Sequence, residues 1–85
     1  MPAKSVVVEK HARKRLLKLP LSIHKRIIRA LEIIQENPLI GVKLHGELEK
    51  YYKYRVGDYR IVYSFDSKES TVTVVKVEHR QGVYK

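Results

Sequence analysis

The feature of the sequence that most constrains the fold is a change of hydrophobic period at Tyr51. From there on, apolar and polar residues alternate, which is typical of strands that bury one face. Turn-forming residues at 57–58 and 66–70 divide the alternating stretch into three strands, the last of which spans 71–78. Strands that follow one another through short turns pair antiparallel. The second half of the chain therefore predicts an antiparallel meander.

The first half of the chain predicts one strand and two helices. Residues 5–9 form a β-branched run that is typical of a strand. Apolar residues at helical spacing follow over 10–18, and Pro20 ends that helix. Ser22 is the predicted N-cap of a second helix, which runs to about Glu36. The predicted core stripe of this second helix consists of Ile23, Ile27, Ile28, Leu31 and Ile34.

The stretch 38–46 is predicted to be irregular, because Asn37-Pro38 ends the second helix. The elements around it predict an α+β fold in which the N-terminal strand and an α-helical hairpin pack on one face of an antiparallel β-sheet. A chain of 85 residues has room for one core, so we expect a single domain over residues 1–85. The hairpin can cover only one face of the sheet, and the other face is predicted to be open.

Strand alternation predicts which side chains stand on the open face, provided that no bulge interrupts it. The apolar set of the middle strand is expected to face the helices: Tyr59, Ile61, Tyr63 and Phe65. Val75 and Val77 are expected to face inward in the same way on the last strand. The outward set then consists of Arg60, Lys76, Glu78 and Arg80.

Four cations and a tyrosine are candidates for one site on this open face. Arg60 and Arg80 share the outward orientation, Lys53 and Arg55 share a parity on the preceding strand, and Tyr84 follows the last strand. Each of these cations, taken singly, has another interpretation: an exposed charged residue on a strand that keeps sheets from associating. Taken together on a concave face, they predict a phosphate-binding site.

The charge balance points to a polyanionic partner. Eighteen Lys and Arg residues against nine Asp and Glu residues give a formal net charge of +9. Nucleic acid is the first partner this charge predicts, an acidic protein is the second and a membrane surface is the third, since the helices lack the Trp or Phe of an interfacial helix. The sequence has no cysteine, and no apolar run approaches the roughly 20 residues that span a bilayer. We therefore expect a soluble, cytoplasmic protein with no membrane attachment.

Two motifs on these strands resemble a known family. The resemblance is carried by the strand Tyr59-Arg60-Ile61-Val62-Tyr63 and by the ending His79-Arg80-Gln81-Gly82-Val83-Tyr84. Together with the order of elements, they resemble the RelE toxins of the RelE/ParE superfamily over nearly the whole chain. The resemblance implies the RelE-like, small microbial RNase fold and the toxin of a type II toxin–antitoxin system. It also implies a ribosome-dependent mRNA interferase, in which the 2′-OH of a nucleotide in the ribosomal A site attacks the adjacent phosphate without a metal or other cofactor.

The resemblance further implies roles for a catalytic set of four residues. Tyr84 matches the family's C-terminal tyrosine, which acts as a general base or as a group that stacks on and orients the RNA. Arg80 matches the arginine that contacts the scissile phosphate, and Arg60 matches the strand arginine that stabilises developing charge. Lys53 matches a basic strand position of the active face.

Three more residues are predicted to bind RNA: Arg55, His79 and Lys85. His79 is also an alternative base, because an unperturbed histidine titrates near pH ~6.5 and a tyrosine near ~10. Alternation turns His79 away from Arg80, however, so a packing or orienting role for His79 is expected first. No metal site is predicted, because metal-ligand spacing is lacking among His11, His24 and His45.

The resemblance leaves two alternatives to the ribonuclease. A ParE-like toxin that acts on DNA gyrase shares the fold but not the ending with Arg80 and Tyr84. The second alternative is a basic module that lacks catalytic activity and binds nucleic acid or only its antitoxin. The partners expected for the ribonuclease are the ribosome, its mRNA and an acidic, RelB-like antitoxin, which forms a heteromeric complex with the chain.

Overall fold

Five strands and two helices make up the part of the chain that the structure, a computed structural model, describes: residues 2–48 and 50–79. In chain order the elements are β1 (Ser5–Val8), α1 (Lys10–Leu17), α2 (Leu21–Glu36), β2 (Val42–Lys43), β3 (Tyr51–Val56), β4 (Tyr59–Asp66) and β5 (Thr71–His79). A short 3₁₀ turn, Gly46–Leu48, precedes β3. The predicted helices and the predicted first and last strands agree with these bounds to within two residues, which is the usual uncertainty of an element's end.

The five strands form one sheet in the order β1-β5-β4-β3-β2. β3, β4 and β5 pair antiparallel, so the predicted meander is confirmed. β1 pairs parallel to β5, with Ser5 opposite Thr71 and Val8 opposite Val74. The sheet is therefore mixed, and antiparallel pairing holds for every pair of neighbours except β1 and β5. Parallel neighbours need a long crossover, which the helices and the intervening strands provide.

β2 corrects the prediction that the whole stretch 38–46 is irregular. Val42 pairs with Lys53, and the N–H of Leu44 donates to the carbonyl oxygen of Tyr51 at 2.9 Å. Both residues of β2 are exposed, so the strand carries no alternation of buried and exposed side chains. Without alternation, a sequence pattern cannot reveal a strand of this length.

The loop that leads into β2 is held by the buried hydroxyl of Tyr63 on β4. This hydroxyl donates to the carbonyl oxygen of Pro38 at 2.8 Å and accepts from the N–H of Gly41 at 3.0 Å. The ring of Tyr63 stacks on that of Tyr52, with centroids 5.4 Å apart. Burial raises the pKa of the Tyr63 phenol above its ordinary value. Tyr63 is therefore a neutral structural group.

Both helices cover the same face of the sheet, and the core lies between helices and sheet. The buried core residues are Ala3, Ala12, Leu16, Ile27, Ala30, Leu31, Ile34, Ile61, Tyr63, Val72, Val74 and Val77. The predicted inward orientation of the β4 set is confirmed, since Ile61 and Tyr63 are buried and Tyr59 and Phe65 pack against the core. Within the described residues, neither helix is long and apolar enough to cross a lipid bilayer.

Two details of α2 differ from the prediction. The N-cap is Pro20 and not Ser22, and the N–H of His24 closes the first turn on the carbonyl oxygen of Pro20 at 2.9 Å. A proline suits this position because it has no N–H to leave unpaired, and its extended ψ of 147° is that of a cap. Ile28 does not broaden the core stripe, as it is 41% exposed, and Ala30 is buried instead. Each helical residue turns by about 100°, which carries Ile28 off the buried side.

A β-bulge on β5 changes which side chains of that strand face outward. Val62 pairs with Lys76, but Tyr63 pairs with Val74, so Val75 is the extra residue between them. Val74 is buried under the helices, whereas Val75 is half-buried and lines a cleft on the other face. The prediction that Val75 faces the helices is therefore wrong, because alternation shifts by one residue across a bulge.

Candidate nucleic-acid interface

A cleft of about 520 Å³ lies on the open face of the sheet, opposite the helices, and is here called the open-face cleft. It is lined by Leu44, Tyr51, Lys53, Arg60, Val62, Val75, Lys76 and Glu78. Sites for small ligands usually have volumes of roughly 300–1,000 Å³. The open-face cleft is therefore large enough for a ligand of the size of a nucleotide.

Strand pairing arranges the outward residues of β3, β4 and β5 in two rows. One row contains Lys53, Val62 and Lys76, and the other contains Arg55, Arg60 and Glu78. Neighbouring strands lie about 4.8 Å apart, so the backbones of Lys53 and Lys76 are about 10 Å apart. An anionic group above Val62 would thus lie between two lysine side chains.

Arg60 is held by Glu78 within its row. The Nε of Arg60 donates to Oε1 of Glu78 at 2.8 Å, and Nη2 donates to the same oxygen. Both side chains are part-buried, with exposed fractions of 31% for Arg60 and 27% for Glu78. The ion pair gives the guanidinium a fixed orientation, and the N–H groups that Glu78 does not engage remain for a second acceptor.

Two of the predicted RNA-binding residues lie away from the open-face cleft. Arg55 shares the outward parity of Arg60, but its Nε donates to the carbonyl oxygen of Gly57 at 3.0 Å. His79 lies opposite Tyr59, and their rings meet edge to face with centroids 4.7 Å apart. This contact gives His79 a packing role, as alternation predicts.

The remaining predicted residues, Arg80, Tyr84 and Lys85, lie outside the described residues. Their roles stay predictions that rest on the resemblance. Lys53 and Arg60 are the two members of the predicted catalytic set that the described structure brings together. They are diagonal neighbours on adjacent strands, which places them about 7 Å apart.

The rest of the open-face cleft is apolar. Leu44, Val62 and Val75 line it together with the ring of Tyr51. The Nζ of Lys50 lies 5.3 Å from the centre of the Tyr51 ring, in the range of a cation–π contact. Aromatic and apolar surface beside cations suits a nucleotide, because a base stacks on the one and its phosphate pairs with the other.

Besides its aliphatic residues, the open-face cleft contains three residues that have no role in the sequence-based prediction: Tyr51, Lys76 and Glu78. Alternation already placed Lys76 and Glu78 outward, so the signal for both was present. Their position opposite particular residues of β4 depends on strand register, which the bulge on β5 alters. The sequence did not single out Tyr51, since Tyr52 and Tyr54 on the same strand pack against the core.

Residues 2–48 and 50–79 contain no group of three His, Asp or Glu side chains that converge as metal ligands would. Within the same residues, Glu78 is the one acidic side chain that lines the open-face cleft, and it is engaged by Arg60. Lys53, Arg60 and Lys76 present positive charge to an anion in the cleft, with the carboxylate of Glu78 beside them.

A second groove, of about 480 Å³, lies between α2 and β3 and is here called the α2–β3 groove. It is lined by Lys25, Arg26, Arg29, Ala30, Ile33, Tyr54, Arg55, Val56 and Gly57. Among the described residues, no Asp or Glu oxygen lies within 4.0 Å of its lysine and arginine nitrogens. The guanidinium of Arg26 covers Gly57, which has a φ of +59° that favours glycine. The groove thus combines apolar walls with four cations that lack an acidic partner in this part of the chain.

The sequence matches a family described as "ParE toxin of type II toxin-antitoxin system, parDE" over residues 6–84. Among curated proteins, it is similar to Toxin RelG of Mycobacterium tuberculosis. The two are 34% identical over 76 residues, which are 87% of this chain and 87% of that protein.

Solved structures of toxin–antitoxin proteins have the same fold. A chain of the RelBE2 toxin–antitoxin complex from Mycobacterium tuberculosis is 33% identical, with a TM-score of 0.85 over 94% of this chain and 100% of that chain. The isolated RelE toxin of E. coli is 27% identical, with a TM-score of 0.79 over 93% of this chain and 88% of that chain. A chain of the archaeal RelE-RelB complex from Pyrococcus horikoshii is 26% identical, with a TM-score of 0.74 over 94% and 97% of the two chains. The predicted RelE-like α+β fold is confirmed.

Proposed function

The chain belongs to the ParE toxin family of type II toxin–antitoxin systems, within the RelE/ParE superfamily, and from that premise we propose that it is an endoribonuclease. Its proposed substrate is messenger RNA in the A site of the ribosome, so it inhibits translation in the cytoplasm. One observation carries the proposal: the open-face cleft combines two lysines, an oriented arginine and an apolar surface with an aromatic ring. This composition suits a nucleotide better than the surface of a folded protein such as DNA gyrase.

In the proposed reaction, the 2′-OH of one nucleotide attacks the adjacent phosphate, and the 5′-oxygen of the next nucleotide leaves. Negative charge builds up on the phosphate oxygens, and cations that are already in place stabilise it. Arg60 is suited to this role because Glu78 fixes its guanidinium. Lys53 adds a second positive charge on the neighbouring strand.

The rest of the proposed site comes from residues that the resemblance assigns. Arg80 is proposed to contact the scissile phosphate, and Tyr84 to act as a base or to stack on the RNA. Arg55, His79 and Lys85 are proposed to bind RNA. Arg55 and His79 lie at the same end of the sheet as Arg60, because Arg55 pairs with Arg60 and His79 pairs with the adjacent Tyr59.

Replacement of Arg60 tests whether the open-face cleft is the active site. Arg60→Ala removes one electrostatic donor from the transition state, so single-turnover cleavage of mRNA in the A site should slow by about 10²- to 10³-fold. The matched control is Arg13→Ala, which removes the same charge from the exposed face of α1. If Arg60→Ala slows cleavage no more than Arg13→Ala does, the chemistry occurs elsewhere.

The nucleophile is tested with a message that carries one 2′-deoxy substitution 5′ of the scissile phosphate. Cleavage of this message should stop, and undiminished cleavage would exclude the 2′-OH mechanism. A wild-type chain that spares ribosome-bound mRNA but inhibits DNA gyrase would establish the gyrase alternative. A chain that does neither would be the non-catalytic basic module.

We further propose that an acidic, RelB-like antitoxin binds this chain in a heteromeric complex. Two of the similar solved structures are such complexes, RelBE2 and RelE-RelB. The α2–β3 groove is the surface of this chain that best suits an acidic segment, because its cations surround the apolar side chains of Ile33 and Val56. An amphipathic segment would place its apolar side in the groove and its carboxylates against the cations.

Charge reversal tests this binding surface. Lys25→Glu with Arg29→Glu should weaken antitoxin binding by at least about tenfold, since like charges then face each other. The control, Lys10→Glu with Lys14→Glu, makes the same change of net charge on α1. Equal losses in a titration of both double variants would show that net charge alone attracts the antitoxin.

A further inference from the structure

We infer that Glu78 is the general base that takes the proton from the attacking 2′-OH, an inference that rests on the ribonuclease function proposed above. It leaves Tyr84 the other of its two proposed roles, stacking on the RNA. Glu78 lines the open-face cleft and stands opposite Arg60 in the register of β4 and β5. The cation that would stabilise the transition state and the carboxylate are therefore direct neighbours. A base must lie within hydrogen-bond reach of the proton it removes, and no other acidic side chain lines this cleft in the described part of the chain.

Among the described residues, Arg60 engages one carboxylate oxygen of Glu78, and the other oxygen has no partner. Nε and Nη2 of Arg60 both donate to Oε1. Oε2 accepts no hydrogen bond from any residue within 2–48 and 50–79. The side chain is 27% exposed, so a ligand in the cleft can reach it. Arg60 thus fixes the carboxylate through one oxygen and leaves the other oxygen available for a proton.

The other candidate bases of the described chain are less suited. The ring of His79 packs edge to face against Tyr59 and does not line the open-face cleft. The hydroxyl of Tyr63 is buried and donates to Pro38. A phenol is protonated at neutral pH, whereas a glutamate side chain is ionised and accepts a proton without prior activation.

The step balances in protons and electrons. The O–H bond of the 2′-hydroxyl breaks, its proton moves to Oε2 of Glu78, and the electron pair of the 2′-oxygen forms a bond to phosphorus. The bond between phosphorus and the 5′-oxygen breaks, and that oxygen takes a proton from water. The products are a 2′,3′-cyclic phosphate and a 5′-hydroxyl, after which Glu78 returns its proton to solvent. Arg60 both orients the base and faces the charge that the step creates.

Glu78→Gln keeps the shape of the side chain and removes its basicity. Single-turnover cleavage of mRNA in the A site should slow by about 10²- to 10⁴-fold, the usual contribution of a general base. Ribosome binding, measured by sedimentation, should change little. Glu32→Gln is the matched control, because it makes the same change of charge on the exposed face of α2 and should cleave at the wild-type rate.

Chemical rescue separates a base from a residue that only positions Arg60. Glu78→Ala removes the atoms of an acetate ion, so added acetate should restore cleavage to this variant and not to Glu78→Gln, which leaves no space. Fluoroacetate has nearly the same size but is a weaker base, and it should rescue less well if proton transfer limits the rate. Circular dichroism shows whether the alanine variant folds, and the glutamine variant carries the test if it does not.

Three outcomes would overturn this role for Glu78. A Glu78→Gln rate equal to or above that of wild type would mean that the carboxylate competes with phosphate for Arg60. A folded Glu78→Ala variant that acetate does not rescue, or that both ions rescue equally, would leave Glu78 as a positioning residue. A wild-type chain that cleaves no mRNA would refute the ribonuclease function itself, so the two failures are distinguishable.

Discussion

Replacing Tyr63 with phenylalanine removes the one oxygen atom that holds the loop before β2 to the centre of the sheet. The hydroxyl donates to the carbonyl oxygen of Pro38 at 2.8 Å and accepts from the N–H of Gly41 at 3.0 Å. Phenylalanine fills the same space, so the loss is confined to these two hydrogen bonds. Each contributes about 0.5–1.5 kcal/mol, and the variant leaves polar groups next to the buried Pro38 unpaired. We expect the free energy of unfolding to fall by about 1–3 kcal/mol.

Urea unfolding measures this loss directly. A domain of this size unfolds with a slope of about 1 kcal/mol per molar urea, so the midpoint should fall by about 1–3 M. Tyr54→Phe is the control, because the hydroxyl of Tyr54 makes no hydrogen bond with the described residues, and it should cost less than about 0.5 kcal/mol. A loss for Tyr63→Phe no larger than that for Tyr54→Phe would refute the account of the loop.

The same pair of proteins, wild type and Tyr63→Phe, should converge in stability at alkaline pH. Burial raises the pKa of Tyr63 in the folded chain above its ordinary value. Below pH ~10 both the folded and the unfolded chain keep this proton, and the stability difference is constant. Above that pH the unfolded chain releases the proton first, which lowers the stability of wild type by up to about 1.4 kcal/mol per pH unit until the folded chain also releases it. Phenylalanine has no such proton, so a constant difference up to high pH would contradict the raised pKa.

Two further predictions concern the loop and the charge. Gly41→Ala should lower the free energy of unfolding by about 1–3 kcal/mol, measured with urea. An added Cβ would lie 2.7 Å from the hydroxyl oxygen of Tyr63 and 2.9 Å from the carbonyl oxygen of Lys53. An unchanged free energy of unfolding would show that the loop shifts freely. Ribosome binding should weaken as salt rises, and Arg13→Ala with Lys14→Ala should reduce the slope of log K against log salt by about one per residue without abolishing cleavage. Sedimentation across salt concentrations measures the slope, and salt-independent binding would indicate an apolar docking surface instead.

The face on which Tyr63 lies was predictable from the sequence, but its hydrogen bonds were not. Alternation along β4 is regular, so it gives the buried side of that strand. The hydroxyl bonds to a loop that is 25 residues away along the chain, and no local pattern reports such a contact. The same limit applies to β5, because the bulge at Val75 arises from pairing with β4 and shifts the alternation on which the prediction depended.

Two cations of the candidate site were predictable from the sequence, and the pairing of one of them with a carboxylate was not. Outward parity on β3 and β4 gave Lys53 and Arg60, both of which line the open-face cleft. Parity also selected Arg55, whose side chain instead donates to the carbonyl oxygen of Gly57. Parity shows on which face of the sheet a side chain lies but not which rotamer it adopts. It therefore cannot distinguish Arg55 from the two residues that line the cleft. The ion pair between Glu78 and Arg60 became apparent only in the structure, because it depends on the register of β4 and β5.

The parallel pairing of β1 with β5 has a consequence for the order in which the chain folds. Ser5 and Thr71 are neighbours in the sheet although 66 positions separate them along the chain. Contacts of such long range close late, because the entropy of the intervening chain must be lost before they form. During synthesis β1 emerges first and must wait for β5, which also supplies Val75, Lys76 and Glu78 to the open-face cleft. A nascent copy therefore has no complete open-face cleft until β5 has left the ribosome that makes it.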